Sequence, residues 1–164
     1  CVITGDADGM TDLAVPISSF QGRFRSGDPS FLSAVAPGLD YAEAINARAN
    51  GDLIVYMVKT YANGYVHTAQ LMAVDLENID LDEGSTSQSI TLSGHRTEAQ
   101  SPKAYTLRGP SYHSIRNGKT RYRCVPDLYV RPGDTVTVNG ETFVAGLITW
   151  TVGAGIESME VSEA

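Results

Sequence analysis

"RPGDTVTVNGETFVAGLITWTVGAGIESMEV", residues 131–161, reads as strand, turn, strand, turn, strand. Pro132-Gly133 fits the two central positions of a type II turn, the second of which needs positive φ. Val136 and Val138 then alternate with Thr135 and Thr137, the period-2 pattern of a half-buried strand. Asn139-Gly140 is the favoured pair for a two-residue hairpin turn, whose twist matches the strands it joins. Such a turn sets Val136 opposite Phe143 and Thr137 opposite Thr142, so each face stays consistent. Beyond it, Val144, Ile148, Trp150 and Val152 are predicted to share one face, and Gly153-Ala154-Gly155 turns the chain into a last strand.

The same signals recur upstream. Asn63-Gly64 centres a long hairpin over residues 52–81, and Asn117-Gly118 centres another over 111–125. Residues 81–97 supply a turn and a strand through Ile90 and Leu92. In residues 17–25, Ile17, Ser19, Gln21, Arg23 and Arg25 alternate with Ser18, Phe20, Gly22 and Phe24, so one face is polar and the other aromatic. The single helical pattern is "PGLDYAEAINARANG" (37–51), where Leu39, Ala42, Ile45 and Ala49 make a narrow apolar stripe. Asn50-Gly51 reads as its left-handed stop. The prediction is a mainly β fold, an antiparallel meander built of hairpins, with one α-helix at about 38–50. Residues 1–12, acidic and glycine-bearing, read as a flexible N-terminal arm; 13–164 read as a single β-rich domain.

Charge is distributed unevenly. Arg96, Lys103, Arg108, Arg116, Lys119, Arg121, Arg123 and Arg131 stand against Glu98 and Asp127, so residues 96–131 carry +6; the whole chain carries −7, which leaves −13 elsewhere. The acidic balance argues against direct nucleic-acid recognition, which needs concentrated positive charge. The basic strip is either a solvated face or a surface that docks onto acidic neighbours, other copies of the chain included. No apolar run approaches the ~18 residues of a membrane-spanning helix. Cys1 and Cys124 do not form a disulfide framework, and Cys124, in alternation with Tyr122, reads as a small buried hydrophobe. Cys1 in place of an initiating Met fits either a missing upstream segment or a processed lipoprotein terminus.

The search for chemistry returns little. Asp6, Asp8 and Asp12 lack the third ligand and closing Glu of a calcium loop. His67, His95 and His113 have no metal-ligand spacing. "RNGKT" (116–120) lacks the upstream glycine of a phosphate loop and leads into a strand, not a helix. Ser93 near His95 has no nucleophile elbow, and Glu157, Glu160, Asp80, Asp82 and Glu83 read as solvated strand ends more than as a carboxylate pair. No catalytic residue, cofactor or metal is expected. Tyr56, Tyr61 and Tyr65, or Tyr112, Tyr122 and Tyr129, would be the aromatic platforms of a sugar-binding surface.

Three stretches taken together, residues 15–57, 88–97 and 121–161, resemble small structural proteins in the tail gene clusters of long-tailed bacteriophages: tail-tip or baseplate components akin to tube and hub proteins. The resemblance spans about Val15 to Val161. It implies an antiparallel β-sandwich or barrel built of hairpins with one flanking α-helix, in a non-enzymatic virion protein that assembles in rings with copies of itself and with other tail proteins. Such a protein is put together in the bacterial cytoplasm. On that reading the assembly interface is the basic set Arg108, Arg116, Lys119, Arg121, Arg123 and Arg131. The alternative is a bacterial surface or lipoprotein β-domain that binds glycan or protein.

Overall fold

The computed structural model describes residues 1–5, 7–84, 86–97, 101–153 and 156–164. Asp6, Glu98 and the Ala154-Gly155 turn lie outside the described residues. In chain order the elements are β1 (Val2–Ile3), β2 (Leu13–Ala14), β3 (Ser19–Arg25), β4 (Ser30–Pro37), α1 (Ala42–Asn46), β5 (Asp52–Thr60), β6 (Val66–Asp82), β7 (Ser89–Arg96), β8 (Ala104–Thr106), β9 (Tyr112–Arg116), β10 (Lys119–Cys124), β11 (Thr135–Val138), β12 (Glu141–Gly153) and β13 (Ile156–Glu163). The mainly antiparallel β reading holds, with one short helix. The chain divides into two compact units, Cys1–Ser18 with Leu32–Arg96, and Ser19–Phe31 with Thr97–Ala164.

In the first unit the strand order is β2-β1-β5-β6-β7-β4. Val2 and Ile3, inside the stretch read as an arm, pair with Leu13–Ala14 on one side and Leu53–Ile54 on the other, and Ile3 is fully buried. Alternation buries Leu32, Ala34, Ala36, Leu53, Val55, Met72, Val74, Ile90 and Leu92. Asp52 and Asp75 face each other across β5 and β6, a juxtaposition of like charges that costs stability. Arg96 relieves it: its guanidinium binds both carboxylates. These hydrogen bonds, to Asp52 first and then Asp75, raise the Arg96 pKa.

Two local expectations are corrected here. The helix has five residues where about thirteen were expected, because the bonds before and after it are i→i−3 turns: Ala42 N to Leu39 O, Arg48 N to Ile45 O and Gly51 N to Arg48 O. Gly51 is not left-handed; instead a Cβ there would overlap the Thr4 carbonyl oxygen. At the Asn63-Gly64 loop only Gly64 has positive φ, and Gly64 N bonds to Tyr61 O at 2.9 Å, so this hairpin turns by a longer route than a two-residue loop. Asn117 and Asn139 do have positive φ, each followed by a positive-φ glycine, as the other two turns require.

In the second unit the order is β3-β12-β13-β10-β9, with β11 paired to β12 and β8 to β11. The predicted register of 135–143 is observed: Val136 opposite Phe143 and Thr137 opposite Thr142. The type II turn is observed as well, with Gly133 at φ 92° and Asp134 N bonded to Arg131 O at 3.1 Å. Val144, however, does not share a face with Ile148 and Trp150. A bulge between Ala145 and Leu147 inserts a residue, which moves every preceding side chain to the other face, and Val144 is 45% exposed. β8 was not foreseen; it pairs in parallel with β11. Among the described residues β2 and β9 each have one strand neighbour, so neither ladder closes into a barrel.

Candidate assembly face

The register of β3, β12, β13 and β10 sorts their side chains into rows. On one side Phe24, Ile148, Val161 and Tyr122 form a row, and Gly22, Trp150, Met159 and Cys124 the next; all are buried. Trp150 meets Phe24 edge-on, ring centroids 4.8 Å apart. On the other side the rows read Arg25, Leu147, Ser162, Arg121, Ser114 and Arg23, Thr149, Glu160, Arg123, Tyr112. The core rows hold the outer rows in place, so the cations stand on a rigid platform.

A groove of about 820 Å³ crosses this outer face, lined by Arg23, Arg25, Lys119, Arg121, Glu160 and Glu163 among others. Its carboxylates are already engaged. Glu160 pairs with Arg121 and lies 3.8 Å from Arg123, and Glu163 Oε2 accepts the Thr120 N–H at 3.0 Å. Arg25 is 3.4 Å from Asp28. Among the described residues no carboxylate pairs with Arg23, Arg116 or Lys119. Arg116 and Lys119 stand directly opposite each other at the end of the β9–β10 hairpin, a like-charge pair that an external anion would relieve.

Four of the six residues singled out in the sequence, Arg116, Lys119, Arg121 and Arg123, therefore come together. Arg108 lies in the loop after β8 and is exposed. Arg131 turns to the core side, with its guanidinium 4.5 Å from the Phe24 ring centre and 5.1 Å from that of Trp150. There it donates to the carbonyls of Leu128 and Val130. Arg23 and Arg25 were the residues missed. Their signal was present in the polar side of the 17–25 alternation, but nothing in one sequence says that this strand joins β10 through β12 and β13.

Other candidates make contacts within the fold. His113 stacks on Tyr122, centroids 4.5 Å apart, and His95 Nδ1 lies 2.7 Å from Glu77 Oε2. Among the described residues no three His, Cys, Asp or Glu side chains are placed to hold a metal, and no helix is long and apolar enough to cross a membrane. Tyr122 is buried between His113 and Phe143, so Tyr112, Tyr122 and Tyr129 do not share an exposed platform. Tyr61 and Tyr65 are both exposed, with rings 5.8 Å apart at the β5–β6 tip. Buried Asp134 ties two loops, accepting the N–H of Lys103 and of Arg131, each at 2.7 Å.

Three groups of this unit hold their protons above the ordinary range. The hydrogen bond that Tyr122 gives Glu141, then burial, raises the Tyr122 pKa. Burial, then the charge of Asp134, raises that of Tyr105, and burial raises that of Cys124. The folded chain keeps protons that the unfolded chain releases, so this contribution is complete below the unfolded pKa values and is lost as pH rises past them. Stability is expected to decline from about pH 8.5, where a free thiol titrates, through about pH 10 and beyond, where phenols do. Urea midpoints followed by circular dichroism at neutral pH and above pH 10 check this; equal midpoints would contradict it.

No known protein family matches this chain, and no curated protein does. A solved structure does match. It is an Escherichia coli protein described as a component of the type VI secretion system, structurally similar to the T4 bacteriophage tail proteins gp27 and gp5. The match has a TM-score of 0.61 at 7% identity and covers 94% of this chain and 74% of that one. The likeness is one of fold. At 94% coverage it reaches into both compact units.

Proposed function

We propose that this chain is a non-enzymatic structural subunit of a tail-type assembly: a tail-tip, baseplate or tube-associated ring component of a tailed phage. It works in the virion tail after assembly in the bacterial cytoplasm. The observation that carries this reading is the fold shared, over 94% of the chain, with a secretion-system component itself described as similar to phage tail proteins. The basic face supports it from a second direction. A rigid sheet that gathers unpaired cations on one side suits a protein whose work is to meet acidic neighbours in a fixed orientation.

Arg121 and Arg123 are tied to Glu160, so reversing them would also break an internal pair. Arg23→Glu with Lys119→Glu reverses two of the face's cations without that cost. Gold-labelled antibody against this chain, applied to tail particles from the cells that make it, is expected to decorate the particles. The double substitution should lower incorporation by roughly tenfold or more, as the loss of two charged contacts would, while circular dichroism stays unchanged. Unlabelled particles would overturn the assignment. Full incorporation of the variant would remove the basic face from it.

A further inference from the structure

We infer that the basic face takes up, from a second copy of this chain, the solvent side of the β6–β7 ladder. This rests on the assembly reading above and names the partner surface. Formal charge is split between the two units: the residues of the first carry eleven acidic side chains against three basic, a net −8, and those of the second eight against nine, a net +1. The second unit gathers Arg23, Arg25, Arg116, Lys119, Arg121 and Arg123 on one sheet side or at its rim.

The first unit offers the complement. Register sets Asn78 opposite Ser93, Asp80 opposite Thr91 and Asp82 opposite Ser89. The intervening Ile90 and Leu92 are buried, so the Asp80–Asp82 side is the one turned to water. Both aspartates are exposed, and among the described residues neither joins an ion pair. Asp82 Oδ1 does accept the Gly84 N–H at 3.1 Å. Of the neighbouring acids, Asp75 is tied to Arg96 and Glu77 to His95, while exposed Glu83 follows directly on Asp82. Directly opposite the aspartates stand Thr91 and Ser89, small side chains that leave room for an incoming guanidinium.

The spacings agree as well as the signs. Asp80 and Asp82 are two residues apart on one strand, about 6.6 Å. Arg23 and Arg25 have the same interval on β3, as do Arg121 and Arg123 on β10. Two carboxylates can therefore meet two guanidiniums at one repeat, each pair able to form parallel hydrogen bonds. The two surfaces belong to different parts of the chain, so the contact is heterologous: it closes into a ring or continues as a filament. A nucleic acid is a poorer occupant, since the acidic unit would repel phosphate.

The test is native mass by light scattering at low and high salt, on four versions of the full chain. Wild type is expected to associate at low salt and dissociate at high salt, where exposed charges are screened. R23E/R25E, which swaps one matched cation pair, and D80K/D82K should each weaken self-association by roughly tenfold or more. The chain with all four substitutions, or an equal mixture of the two double variants, should recover the wild-type mass, because the swapped charges match again. Three results would overturn the proposal: a wild type that is monomeric at every salt, D80K/D82K that associates like wild type, or a swapped chain and mixture that both stay monomeric. None of these touches the labelling of tail particles, so the broader reading fails or survives separately. A monomeric wild type that instead binds duplex DNA in a salt-dependent way would hand the face to a polyanion.

Discussion

Trp150→Ala is expected to remove about 3–5 kcal/mol of stability, the usual cost of deleting a large buried ring, from a fold whose total is of order 5–15 kcal/mol. Trp150 has no exposed surface and sits in the middle strand pairing of its unit, with Gly22 and Met159 as cross-strand neighbours. Removing it leaves Phe24 without its edge-on partner and takes away one of the two rings under the Arg131 guanidinium. The space cannot collapse easily, because the flanking rows belong to a rigid ladder. With a urea dependence of about 1–3 kcal/mol per molar, the unfolding midpoint should fall by roughly 2 M. Circular dichroism must report it, since the chain has one tryptophan. Trp150→Phe keeps most of the apolar area and should lose less than half as much. A midpoint shift under about 0.5 M for the alanine variant would show that this ring is not central to the core.

Gly94→Ala is the second large effect, at about 3 kcal/mol, the upper end for forcing an extra methyl into a packed site. A Cβ on Gly94 would overlap the Asp75 carbonyl oxygen and lie 3.3 Å from Val74 Cγ2. The obstacle is backbone, not the movable end of a side chain, so either β6 or β7 must shift. Gly94 stands opposite Leu76, beside the irregularity between Leu76 and Asn78, and the shift would also pull on the Arg96 bridge to Asp52 and Asp75. The same urea titration measures it. Ser93→Ala, on the neighbouring solvent-side position, should stay within about 0.5 kcal/mol. If the two variants unfold together, the close approach at Gly94 is not needed for the fold.

These two sites show what the sequence could and could not disclose. Period-2 alternation and Asn-Gly turns are local, and they made β3, β5–β7 and β9–β13, the 135–143 register and two of three hairpin turns readable in advance, but not β1, β2, β4 or β8. Bulges are local too, but they insert a residue without a composition signal, so Val144 was assigned to the wrong face. Gly94 and Gly51 are required by backbone passing close from distant residues, Asp75 and Thr4, which no window around the glycine contains. The basic face was half legible for the same reason. Arg116, Lys119, Arg121 and Arg123 share one hairpin and could be grouped from charge alone. Arg23 and Arg25 join them only through the order in which β3, β12, β13 and β10 pair. Arg131 was misleading because an arginine in a basic run looks solvated, whereas here its planar head lies against two aromatic rings.

The position of β13 governs when this protein can fold during its own synthesis. Residues 156–163 are the last strand to leave the ribosome among those described, yet they lie between β12 and β10 in the ladder. Until they emerge, the β9–β10 hairpin has no strand to attach to, and β12 presents a bare edge that could capture a strand from a neighbouring nascent chain. The first unit has all its residues by Arg96 and meets no such delay. A nascent chain stopped short of β13 would thus carry Arg116, Lys119, Arg121 and Arg123 on a hairpin not yet joined to Arg23 and Arg25. The complete cationic surface comes into being only once β13 has joined the ladder between β12 and β10.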